Sequence, residues 1–146
     1  MRHSVITLAY GGERSRVIVL SSWRARMRGL LGRAQLRRDV GVLIHPCNAV
    51  HTVGMQFALD VVFFDRKFNV LRVVSGLRSQ RFAFCLGAFA AMECAARPDE
   101  PVATLSRRAN EMAQRLSSIH STVDGASSAS STMLSRGRLS MSNTDT

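Results

Sequence analysis

The stretch HTVGMQFALDVVFFD, His51–Asp65, decides how this chain folds. From Phe57 to Phe64 its side chains sort by alternation. Phe57, Leu59, Val61 and Phe63 point one way; Ala58, Asp60, Val62 and Phe64 point the other. Asp60 is the only polar residue in that run, so the segment reads as a buried strand carrying one carboxylate. Asp65-Arg66-Lys67-Phe68-Asn69 then reads as a hairpin loop, and the chain returns through Val70–Val74.

Working outward, Val5–Ala9 and Val17–Leu20 read as two strands separated by Gly11-Gly12. Ser21 or Ser22 can cap a helix in which Trp23, Met27, Leu30, Leu31 and Ala34 share a stripe, though Gly29 and Gly32 weaken it. Val40–Ile44 reads as a short strand stopped by Pro46, and PCNAVHT after it as a loop. In the apolar segment Phe82–Cys94, the Ala-rich part Ala88–Ala96 leans helical. After Arg97–Pro101, a closing helix is expected over Leu105–Leu116, with Leu105, Ala109, Met112 and Leu116 on one face. Strands and helices in this order define an α+β domain over residues 1–116.

The apolar fraction of 46% is ample for one core. Residues 117–146 are Ser-, Thr-, Gly- and Ala-rich without an aromatic residue, and are expected to be a disordered tail. Arg136 and Arg138 balance Asp124 and Asp145, which leaves the net charge of +10 on the domain itself. Lys67 is the sole lysine. Cys47, Cys85 and Cys94 have neither disulfide nor zinc spacing, and the start of the chain lacks the pattern of a signal peptide. The expectation is a reduced, cytoplasmic protein without a transmembrane segment.

Most catalytic chemistries find no support. Cys47 and His51 stand four apart, but Pro46 argues against a helix that would bring them together, and no second pair follows; no metal site and no cofactor is expected. A cysteine-dependent hydrolase would need His51 beside Cys47 or Cys85, with Asp60 as the orienting group, and neither cysteine has a nucleophile's local context. No G-x-S-x-G and no glycine-rich phosphate loop occurs. Two alternatives follow from the arginines of Arg24–Arg38: docking on anionic lipid, or on nucleic acid, although no nucleic-acid motif accompanies them.

Several motifs in order resemble one family. Arg28-Gly29-Leu30-Leu31-Gly32-Arg33 with Leu36, Gly41-Val42-Leu43-Ile44, His51-Thr52-x-Gly54-Met55, Leu59–Asp65 and Ala90–Glu93 are similar to domain of unknown function 192, the UPF-0127 family. The likeness covers about residues 17–96 and takes the HT-x-GM form. It implies a small, mostly antiparallel, barrel-like sheet with one or two helices, and brings with it no established activity, cofactor or partner. Two departures stand out: Phe68 occupies a hairpin position where the family has glycine, and Cys94–Pro101 replaces a final Gly-Asp strand. Polar residues set in otherwise apolar elements then nominate a binding site: His51, Thr52, Asp60, Arg28 and Glu93. The expected role is a non-catalytic module for a small polar ligand or a protein segment.

Overall fold

The computed structural model describes residues 4–10, 12–21, 30 and 35–135. Among these residues eight strands and one helix follow one another: β1 Ser4–Tyr10, β2 Glu13–Leu20, β3 Val40–Ile44, β4 Ala49–His51, β5 Leu59–Phe64, β6 Val70–Leu77, β7 Phe82–Phe84, β8 Ala90–Ala95 and α1 Val102–Ser135. Six strands form a sheet in the order β1-β2-β3-β8-β5-β6, and β4 pairs with β7 in a separate two-stranded sheet. Only β2 and β3 run parallel; the other pairings are antiparallel. The fold is therefore α+β with a mostly antiparallel sheet. Its strand order is open, with β1 and β6 at the edges, and does not close into a barrel.

The alternation read in β5 divides the core into two layers. Leu59, Val61 and Phe63 join Val42, Ile44 and Ala91 on one face, covered by Leu30, Leu36, Met55, Val50 and Ala83. On the other, Val62 and Phe64 join Leu8, Val17, Leu43 and Met92 beneath Ala109, Met112, Ala113 and Leu116 of α1. Every side chain of β5 is buried. At about 1.5–3 kcal/mol for each large apolar side chain, this strand is a main source of stability.

Three sequence expectations differ from the structure. Ala88–Ala96 is not helical: Ala90–Ala95 is strand β8, held between β3 and β5. Alanine's helix propensity is outweighed by pairing on both edges. The crowding there is visible at Gly41, where an added Cβ would lie 3.0 Å from Met92 Sδ. His51, read as part of a loop, ends the short strand β4. The closing helix also continues past Leu116 through Ser135, into the expected tail. There Ser118, Ser121 and Thr122 bond back to the carbonyls of Gln114, Ser117 and Ser118 at 2.8–2.9 Å, satisfying their hydroxyls within the helix. After β8 the chain makes a turn and enters α1. A buried ion pair between Arg108 and Glu100, 2.5 Å apart, ties the helix to that turn.

Phe68 adopts φ 62°, a left-handed conformation that L side chains rarely take and glycine adopts freely. Packing offsets the strain. Its ring lies 6.0 Å from that of Phe64 and 5.7 Å, edge-on, from that of His120 on α1. The helix expected over Trp23–Ala34 falls almost entirely outside the described residues; of its stripe only Leu30 is placed, and it is buried.

Candidate functional site

Asp60 is buried, and its carboxylate is tied to the backbone. Oδ1 accepts the Gly76 amide at 2.9 Å, and Oδ2 accepts the Arg97 amide at 3.3 Å. Gly76 takes φ 62°, a turn of the backbone inside β6 that glycine adopts without a Cβ penalty. Asp60 thus joins β5 to β6 and to the segment leaving β8. The Ser75 hydroxyl also donates to Oδ1, at 3.5 Å, so the partners lie on two other segments and include both backbone amides and a side chain.

Thr52 is fully buried and equally committed. Its hydroxyl donates to the Arg78 carbonyl at 2.5 Å and accepts the Arg81 amide at 3.0 Å. Its own amide donates to the Arg81 carbonyl at 2.9 Å, and its carbonyl accepts the amides of Met55 and Gln80 at 3.2 Å each. The residue clamps the 78–81 turn against the loop after β4. Thr52→Val keeps the shape and removes the hydroxyl, so it is expected to lower unfolding free energy by about 1–3 kcal/mol in urea titration.

Glu93 occupies the middle of the sheet, across from Val42 on β3 and Val61 on β5. It is 5% exposed, and burial pushes its carboxyl up to about 7. His51 is exposed on β4 with its ring 6.1 Å from that of Phe82. Arg28 lies outside the described residues. The remaining four do not form one cluster. Glu93 shares the face of Val61, Asp60 shares that of Val62, and Thr52 serves a different turn.

What the structure gathers around Asp60 is a set of arginines. A cleft of about 690 Å³ opens where β3 and β5 begin and β8 ends. Its lining comes from four separate segments: Gln35–Arg38, Phe57, Ala58 and Asp60, Ser75, Gly76 and Arg78, and Ala95–Pro98. Arg37, Arg38, Arg78 and Arg97 are among the lining residues, and among the described residues Asp60 is the only acidic one there. Arg37 is paired with Asp39 at 2.9 Å, and this hydrogen-bonded pairing holds the Asp39 carboxyl below its ordinary range. Arg97 reaches the Arg38 carbonyl at 3.4 Å. No sequence motif announces the group, because the four arginines meet only through the sheet register.

Among the described residues, no three His, Cys, Asp or Glu side chains are grouped as a metal ion would require. No helix among them is long and apolar enough to cross a membrane.

A small open α+β sheet with a basic cleft at one end is the class of protein defined so far. The chain belongs to the domain of unknown function 192 family, described as an uncharacterized ACR, whose model matches residues 6–98. No curated protein matches it. Two solved structures share the fold at 14% identity. A protein of unknown function from Novosphingobium aromaticivorans superposes with a TM-score of 0.54, over 64% of this chain and 74% of its own. A "putative transcription regulator" from Sinorhizobium meliloti superposes with a TM-score of 0.55, over 65% and 81%.

Proposed function

We propose that this chain is a binding module whose cleft holds a small anionic ligand, a carboxylate or phosphate group gripped by arginines. The observation that carries the reading is the lining of the cleft: Arg37, Arg38, Arg78 and Arg97 around one carboxylate that is already spent on backbone amides. Guanidinium groups present paired N–H donors that match such anions, and hydrogen bonds to charged groups are stronger than neutral ones. Asp60 on this reading shapes the cleft and does not act as an acid or base. His51, Thr52 and Glu93 then belong to the frame, and the ligand's contacts shift to the arginines.

Thermal denaturation and calorimetric titration with inorganic phosphate, citrate and succinate test this. At least one anion is expected to raise the melting temperature and to bind with a saturable heat. Arg38→Gln with Arg78→Gln, both at exposed positions, is expected to weaken that binding at least about tenfold, at roughly 1 kcal/mol or more for each lost charge-assisted contact. If no anion stabilises the parent, or if the double variant binds as the parent does, the reading fails. A nucleic-acid alternative draws on the arginine excess and on the name of the Sinorhizobium protein; displacement of the small anion by duplex DNA in the same titration would favour it.

A further inference from the structure

The outer face of the two-stranded sheet carries an apolar surface away from the cleft. On β7, Ala83 is buried while Phe82 and Phe84 on either side are 73% and 60% exposed. Leu86, in the turn that follows, is 87% exposed, and Leu71 on the adjacent edge strand is 44% exposed. Leu71 lies against this turn: its Cδ1 is 3.6 Å from where a Cβ on Gly87 would sit. Three large apolar side chains this exposed, on one short strand and its turn, are not accounted for by packing within the chain.

The charge around them has one sign. From Arg66 to Met92 the sequence contains no Asp or Glu; of its cations, Arg72 and Arg81 adjoin the apolar tips, whereas Arg78 lines the cleft. Arg72 is fastened to the surface itself: its guanidinium donates to the Phe84 carbonyl and lies 5.9 Å from the centre of the Phe84 ring. Arg81 directly precedes Phe82 and is exposed. Apolar tips ringed by arginines match the interface of an anionic bilayer, where rings and leucines enter among the headgroups and cations meet phosphates. A second copy of this chain would set the same arginines against each other. A nucleic-acid duplex would offer the phosphates but no apolar layer for Phe82, Phe84 and Leu86.

We propose that β7 and the turn after it dock this domain on an anionic membrane surface, with Phe82, Phe84 and Leu86 inserted and Arg72 and Arg81 held at the lipid phosphates. The contact is peripheral and reversible, since so small an apolar area cannot anchor the chain permanently. It is independent of the cleft, so either proposal can fail without the other.

Sedimentation of the full chain with sucrose-loaded vesicles tests the docking. Binding is expected to vesicles of phosphatidylglycerol mixed with phosphatidylcholine, and to fall steeply with salt and on pure phosphatidylcholine. Replacing Phe82, Phe84 and Leu86 together by Ser is expected to lower the partition coefficient about a hundredfold. Arg72→Gln and Arg81→Gln are each expected to lower it about fivefold. The melting temperature of each variant confirms folding, and Arg38→Gln with Arg78→Gln serves as the basic control away from the apolar tips. Equal binding by the triple Ser variant overturns the proposal, as does equal binding to neutral vesicles. A parent dimer that the triple variant dissociates, without vesicle binding, assigns the surface to a second copy and overturns it too. So does salt-sensitive binding to duplex DNA with none to vesicles.

Discussion

Raising the pH from 4.5 to about 7 is expected to remove about 3 kcal/mol of stability through Glu93 alone, whose carboxyl is shifted upward across that interval by burial. The sign follows from proton uptake. Between the ordinary glutamate value and the raised one, the folded chain holds a proton on Glu93 that the unfolded chain has released. Folding in that window is coupled to proton binding and weakens as protons become scarce. Above the raised value both states are ionised, and the folded state bears the cost of a charge set between Val42 and Val61. Glu93→Gln isolates the effect. Its stability should equal that of the parent near pH 4.5 and exceed it by about 3 kcal/mol at pH 8, read from urea titrations at each pH. Parallel pH profiles for the two proteins would mean that Glu93 ionises in the fold as it does in water.

Asp60→Ala is expected to destabilise the fold by about 3 kcal/mol, since it strips acceptors from the Gly76 and Arg97 amides and leaves a small void beside them. Asp60→Asn should cost less, about 1–2 kcal/mol, because its side-chain carbonyl still accepts one amide while its NH₂ faces the other. The pair of variants separates a carboxylate that holds backbone from one that holds a ligand. A structural Asp60 lowers stability in the order Ala, then Asn, with or without phosphate or citrate present. Equal stability of Asp60→Ala and the parent in urea titration would refute the backbone role.

Much of the fold was legible because the sequence patterns were local. Val40–Ile44 is a strand with the expected limits, bounded by Pro46. The alternation of Leu59 to Phe64 separates the two core layers residue by residue. Leu105, Ala109, Met112 and Leu116 are all buried, as a helical stripe requires. The failures have a common cause. Alanine in β8 is selected by the space between two neighbouring strands, and nothing in a run such as AAMECA records those neighbours. The cleft was illegible for the same reason: its arginines lie on segments as far apart as Arg37 and Arg97. Asp60 was recognisable as a buried carboxylate, whereas backbone amides leave no mark in a sequence by which its partners could be named.

The strand order has a consequence for how this chain is made. β8 fills the middle of the sheet, yet it leaves the ribosome after both strands that flank it. Until Ala90–Ala95 has emerged, β3 and β5 each present an unpaired edge of buried-type residues, Val42-Leu43-Ile44 on one and Leu59–Phe64 on the other. Such edges are templates for pairing with another nascent chain. Closing them requires contacts spanning about thirty residues for β5 and some fifty for β3, which are slow to form. The hazard during synthesis therefore lies in a brief interval before the central strand arrives, when a chain that will be well packed is momentarily two incomplete sheets in search of the same missing strand.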